Sequence, residues 1–148
     1  MFQLHATCVA IANQGVLICG PSGSGKSDLA LRLIDDGAIL VADDRVDVCG
    51  EDGQLRATVP DAIKGLIEVR GLGVYEVPHI TEVTITLVVE LRDSHLIERL
   101  PEASSVDVDG VPVKEVKLNA FENATPAKIR LAMERDVLAP EITLTANS

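Results

Sequence analysis

The sequence predicts an α/β domain built on a P-loop, with a strand-rich mixed sheet in its second half. Three observations carry that expectation. A short apolar strand, Val16-Leu-Ile-Cys19, runs straight into the glycine-rich segment Gly20-Pro-Ser-Gly-Ser-Gly-Lys26-Ser27. A helical pattern follows at once, then a second apolar strand that ends in paired aspartates, Asp43-Asp44. From residue 45 onward, segments with the two-residue period of strands dominate, and one further helix is expected near the end.

Taken in order, residues 5–12 read as a strand and residues 13–15 as a tight hairpin turn. After the glycine segment, Leu29, Ala30, Leu33 and Ile34 fall at helical spacing, with Arg32, Asp35 and Asp36 on the other face. Gly37 is placed to close that helix. Residues 38–42 form the second apolar strand. Residues 45–49 and 54–59 read as two strands around a turn at 50–53. The run Leu66-Ile-Glu-Val-Arg-Gly-Leu-Gly-Val74 starts extended and is broken by Gly71 and Gly73. Residues 81–91 alternate at first and then become a buried run; 106–114 and 115–118 add strand-like segments. Thr125 is a candidate N-cap, with Pro126 at the first helical position. Ile129, Ala132, Met133 and Val137 then form the apolar stripe of a helix over residues 126–138. Neither repeat nor linker divides the chain, so residues 1–148 are expected to be a single domain. A doubly wound nucleotide kinase alternates strands and helices throughout, a pattern the second half does not follow.

Composition narrows the function. The formal charge is −10 over 148 residues, which repels phosphate backbones and anionic lipid, so nucleic acid and membrane are excluded as partners. With no Trp, one Tyr and two Phe, the core must be aliphatic, and stacking of successive nucleic-acid bases on aromatic platforms is excluded. No run approaches the length of a membrane span, and the first residues lack the basic, then apolar, pattern of a signal peptide. Three cysteines, Cys8, Cys19 and Cys49, are odd in number and show no CxxC spacing. They read as small hydrophobes of a reducing compartment, which places the chain in the cytoplasm.

Three motifs carry chemistry. In the loop, Gly20, Gly23 and Gly25 let the backbone turn its N–H groups toward a phosphate, at the positive end of the following helix. Pro21, Ser22 and Ser24 complete the loop. Lys26 reaches the β- and γ-phosphates of ATP, and the Ser27 hydroxyl is a ligand for Mg²⁺. The motif by itself does not separate a kinase from an ATPase or a nucleotide sensor. The second motif, Asp43-Asp44, ends the strand that returns beside the loop, where a carboxylate can hold Mg²⁺ or take a proton from an attacking hydroxyl. Two adjacent carboxylates on an extended chain point to opposite faces, so different roles are expected for them. The third, Glu68 and Arg70, shares one strand face; it suits either metal binding with charge neutralisation or a surface salt bridge.

Together, His5, the GPSGSGKSD loop, Val41-Ala-Asp-Asp-Arg-Val-Asp-Val48 and Leu66-Ile-Glu-Val-Arg-Gly-Leu-Gly-Val74 resemble the catalytic domain of HPr kinase/phosphorylase. The likeness is clear over residues 5–78 and fainter through 84–91 and 111–113. It implies the architecture shared by HPr kinase and phosphoenolpyruvate carboxykinase. It also implies an ATP- and Mg²⁺-dependent protein serine kinase acting on HPr, a small phosphocarrier of the bacterial sugar phosphotransferase system, and able to reverse the reaction by phosphorolysis. By position, the resemblance assigns ATP to residues 20–27 and Mg²⁺ to Ser27 and Glu68. It makes Asp44 and Asp43 the catalytic acidic pair, His5 an active-site histidine and Arg70 the arginine of the family signature. A homohexamer is implied in the same way.

Departures from the family pattern are expected to matter. The family's usual N-terminal domain is absent, and the helix over 126–138 is short where other members offer HPr a longer docking element. Lys128, Arg130 and Arg135 on that helix suit either an acidic partner or a solvated face. The loop that carries an arginine linked to phosphorolysis shrinks here to Pro78-His-Ile-Thr-Glu82, without arginine, so the balance between kinase and phosphorylase stays open. A P-loop small-molecule kinase and a non-catalytic nucleotide-binding regulatory module are the alternatives. The first calls for lid arginines and helices that residues 80–120 do not offer; the second predicts binding without turnover.

Overall fold

The computed structural model describes residues 1–138; residues 139–148, the end of the expected single domain, lie outside them. The strands are β1 (Phe2–Leu4), β2 (Thr7–Ile11), β3 (Gln14–Cys19), β4 (Ile39–Ala42), β5 (Val46–Glu51), β6 (Gln54–Thr58), β7 (Leu66–Val69), β8 (Gly73–Glu76), β9 (Glu82–Leu91), β10 (Ser104–Val108) and β11 (Val111–Leu118). The helices are α1 (Lys26–Asp35), between β3 and β4, and α2 (Thr125–Glu134), after β11. Among the described residues no helix is long and apolar enough to cross a membrane.

The main sheet runs β1-β5-β6-β9-β3-β2-β4, and β9 is the strand on which it turns. One edge of β9 pairs in parallel with β3. Its other edge is shared: residues 82–85 pair antiparallel with β6, and residues 87–91 pair in parallel with β11. At that division β9 carries one extra residue, since Gly15 faces Ile85 and Val16 faces Leu87, leaving Thr86 unopposed. A β-bulge of this kind shifts the in/out phase of a strand by one. Val83, Ile85 and Val88 therefore share one core, while Leu87, Val89 and Leu91 belong to the other. Beyond the bulge both faces of β9 are buried, which is why its sequence passes from alternation to the consecutive apolar residues Leu87, Val88 and Val89.

The two cores lie on opposite faces of the sheet, and β2 and β3 show the alternation most simply. Cys8, Ala10 and Leu17 point to a core walled by β5, β6 and β11, over which the sheet curls. Val9, Val16 and Ile18 point to the second, covered by Leu29, Ala30 and Leu33 of α1 and Ile129 of α2. Helix α1 ends in a Schellman motif, as Gly37 predicts: the Ala38 N–H bonds Leu33 O at 2.9 Å and the Gly37 N–H bonds Ile34 O at 3.0 Å.

Some elements differ from their sequence reading. The β2–β3 turn is two residues, Ala12 and Asn13, both at positive φ (50° and 63°), so the strand resumes at Gln14. That is the geometry that matches strand twist in a hairpin. Gly73 opens a strand instead of ending one, because β7 and β8 form a separate antiparallel hairpin. Thr125 is not a cap. It is a fully buried helical residue whose hydroxyl donates to Asn119 O. Helix α2 stops at Glu134 because Lys114 Nζ takes the carbonyls of Ala132 (2.6 Å) and Arg135 (2.9 Å), leaving Val137 exposed. Lys128 and Arg130 pair with Glu122 and Asp36 at 3.1 and 4.0 Å.

Leu17 sits at the centre of the strand that delivers the glycine loop and is fully buried. Leu17→Ala is expected to lower stability by roughly 2–5 kcal/mol, read as a fall in the urea midpoint by far-UV circular dichroism, since the chain has no Trp.

Candidate functional site

Strand β4 runs antiparallel to β2, and β2 antiparallel to β3. The C-terminal ends of β3 and β4 therefore emerge on the same side, with β2 between them, and Asp43-Asp44 arrive beside Gly20. Backbone conformation shapes the loop itself. Gly23 (φ 82°) and Gly25 (φ 95°) take left-handed values that side chains resist. A Cβ on Gly25 would also lie 2.8 Å from Ala120 Cβ and 2.9 Å from Phe121 Cζ. No side chain caps α1, so its first N–H groups are left for an anion. Lys26 Nζ folds back across the loop onto the carbonyls of Gly20 (2.7 Å) and Pro21 (3.1 Å). Ser24 Oγ is buried with no hydrogen-bond partner among the described residues.

Asp43 and Asp44 diverge. Asp43 is buried, and its carboxylate collects three bonds: Oδ1 accepts from Ser27 Oγ (2.6 Å) and Thr7 Oγ1 (3.2 Å), and Oδ2 accepts from the Glu68 N–H (3.0 Å). Asp44 has φ 70° and is exposed, with its own N–H donating to Thr7 Oγ1 at 3.3 Å. The kink turns the second carboxylate into a cleft of about 740 Å³, a size suited to a nucleotide. The glycine loop, Lys26 and Ser27 form one wall of this cleft, and His5, Asp44, Glu68 and Arg70 another. Leu31 and Phe121 add an apolar flank. Of the residues singled out from sequence, Asp43 and Ser24 stand behind the cleft surface; the others line it.

Thr7, Leu31 and Phe121 were not foreseen. Thr7 carried one signal, a hydroxyl in a strand that is otherwise apolar. Leu31 and Phe121 carried none, because their place depends on the loop after β11 reaching α1.

Metal binding can be tested on the donor set. Among the described residues, no three His, Cys, Asp or Glu side chains converge as a complete metal cage. Ser27, Asp43 and Glu68 supply oxygens only, beside a glycine loop that leads into an uncapped helix start. Such a set fits Mg²⁺, which binds through one or two carboxylates plus phosphate oxygens and water. Under the loop, Cys19 stays neutral: burial, then the nearby Glu90 and Glu115 carboxylates, push its thiol up to about 11, against a smaller opposing pull from Lys26.

An uncapped helix start behind a glycine loop, with one carboxylate bracing the loop serine and a second turned toward the same cleft, defines a mixed α/β domain whose cleft is built to receive an anion. The chain belongs to the HPr serine kinase C-terminal domain family, whose profile matches residues 1–134. It is 39% identical to the HPr kinase/phosphorylase of Burkholderia lata and 40% identical to that of Cupriavidus necator, in each case over 91% of this chain and 45% of the relative. A third HPr kinase/phosphorylase, from Clostridium novyi, is 41% identical over 64% of this chain and 30% of its own length. The chain thus spans less than half the length of these curated relatives. Among solved structures, the HPr(Ser) kinase/phosphatase of Coxiella burnetii superposes with a TM-score of 0.78 at 27% identity, covering 87% of this chain and 86% of that one.

Two outcomes follow from this geometry. An asparagine at position 43 cannot accept all three bonds, so Asp43→Asn is expected to cost about 1–3 kcal/mol of stability. The exposed Asp44→Asn is expected to change it by less than about 0.5 kcal/mol; urea titration of both variants checks the contrast. The raised thiol of Cys19 means that the fold favours its protonated form. That stability is fully present below the ordinary thiol range and is lost as pH rises toward about 11. Iodoacetamide labelling at Cys19 should accordingly be slow at pH 8 and accelerate only toward that value.

Proposed function

We propose that the chain is the catalytic part of an ATP-dependent protein serine kinase that phosphorylates an HPr-type phosphocarrier protein. The observation that carries this reading is the split of the aspartate pair. Asp43 braces Ser27 from behind, which leaves Asp44 free in the cleft beside the loop.

In this scheme the loop N–H groups and Lys26 hold the phosphates of ATP, with Lys26 Nζ exchanging its two loop carbonyls for phosphate oxygens. Ser27 and Glu68 would hold Mg²⁺, and Asp43 orients Ser27. The bound ion would supply neutralising charge on the phosphate oxygens. Asp44 accepts the proton of the target serine as that hydroxyl oxygen bonds the γ-phosphorus and the bond to the β-phosphate oxygen breaks, releasing ADP. Arg70 offers positive charge to the transferring group, and His5 lines the same space. In the reverse reaction, inorganic phosphate attacks phosphoserine, Asp44 returns a proton to the serine oxygen and pyrophosphate leaves.

The connection from β8 to β9 bears on the balance between the two directions. Residues 77–81 contain no arginine, and they are tied down: the Ile80 N–H bonds Leu40 O at 3.0 Å, and Thr81 O accepts from the Val59 N–H at 3.1 Å. A tethered connection without the phosphorolytic arginine favours the kinase direction. Family resemblance supports a hexamer, and an HPr-type partner supports a cytoplasmic location.

The test is incubation with Mg-ATP and an HPr-type protein, followed by mass-spectrometric detection of phosphoserine. Wild type should label HPr. Asp44→Asn should slow labelling by about 100-fold or more while leaving ATP affinity within a few-fold. ATP binding without any labelled HPr, or a fully active Asp44→Asn variant, would sink the reading.

A further inference from the structure

We propose that Phe121, flanked by Leu31, is the platform on which the base of a bound nucleoside triphosphate rests; this depends on the glycine loop holding that nucleotide's phosphates. Phe121 is one of two phenylalanines in the chain, yet it is 64% exposed on a wall of the cleft. A ring left in water forgoes the burial that usually places phenylalanine inside, and its place beside the glycine loop makes that exposure informative.

The position of Phe121 is built, not incidental. Its N–H donates to Asn119 Oδ1 at 2.8 Å. The Arg32 guanidinium on α1 donates to the carbonyls on either side of it, Ala120 and Glu122, the latter at 3.3 Å. Asp28 steadies Arg32 from one turn earlier, at 3.3 Å. The ring edge covers Gly25, the residue from which α1 starts, so close that a Cβ there would clash with it. Leu31 lies one helical turn beyond Ser27 on the same helix and is partly exposed to the same space. An apolar surface thus begins where the phosphate cradle ends, within one continuous cleft. That is the placement a base needs when its triphosphate lies on the loop. Stacking on a phenyl ring uses the π-face that every base presents, so the platform supplies affinity more than base identity.

The experiment compares Mg-ATP with Mg-tripolyphosphate, which carries the phosphates without the base, by calorimetry on wild type and Phe121→Ala. Wild type should bind ATP more tightly than tripolyphosphate. Phe121→Ala should weaken ATP about tenfold and leave tripolyphosphate unchanged, which also shows that the variant is folded. Phe121→Trp, the sole tryptophan in such a chain, should keep ATP affinity, and its fluorescence should change with ATP but not with tripolyphosphate. ATP affinity unaltered by Phe121→Ala overturns the platform, even if phosphorylation of HPr suffers. Equal losses for both ligands also overturn it, because the ring would then be shaping the phosphate site. A wild type that binds neither ligand overturns the phosphate-loop reading and the platform with it; one that binds both equally overturns the platform alone.

Discussion

Four elements meet at one carboxylate. Asp43 ends β4 and receives hydrogen bonds from Thr7 on β2, Ser27 at the start of α1 and the Glu68 N–H on β7. A carboxylate taken out of water is costly unless donors surround it, and three donors are what make this buried position tenable. Because each donor comes from a separate element, the bracing works as a set. Displacing any one strand loosens the serine, the aspartate and the β7–β8 hairpin together. Thr7 has a double part. Its hydroxyl donates to Asp43 and accepts from the Asp44 N–H, which helps hold Asp44 at a left-handed φ of 70° that an ordinary residue adopts only at some cost.

Around this junction the cleft is lined by the glycine loop and Lys26, by the carboxylates of Asp44 and Glu68 with His5 and Arg70, and by the hydrocarbon of Leu31 and Phe121. On the far side of the loop, Cys19 is desolvated and flanked by Glu90 and Glu115, so it stays a thiol across the ordinary pH range. No thiolate charge develops behind a loop that leads into the uncapped N–H groups of α1. An overall charge of −10 leaves the loop dependent on such local arrangements.

What could be read from the sequence was local. The strand into the loop, the amphipathic face of α1 and its glycine stop all arise within a few residues of one another, and the structure reproduces them closely. Separate places for Asp43 and Asp44 were expected from the pleat of an extended chain, but the structure separates them by a left-handed kink at Asp44, and which one turns inward depends on Thr7, 36 residues from Asp43 in sequence. The phase change in β9 depends on pairing with β3 and has no signature at Thr86 itself. Thr125 looked like a cap because Thr-Pro commonly starts a helix. The carbonyl of Asn119 claims its hydroxyl instead, and Lys114, on a neighbouring strand, ends that helix early.

The short connection between β8 and β9 has a consequence for how the molecule behaves in company. Strand β4 stands last in the main sheet, and its sequence, Ile-Leu-Val-Ala, is the kind that recruits another strand when its edge is open. Residues 77–81 lie along it: His79 forms a parallel bridge with Leu40, and the Ile80 N–H takes Leu40 O. The backbone groups most inviting to a foreign strand are thus already engaged by the chain's own return. By engaging Leu40 from within the same chain, this connection leaves less of the β4 edge open to edge-to-edge self-association.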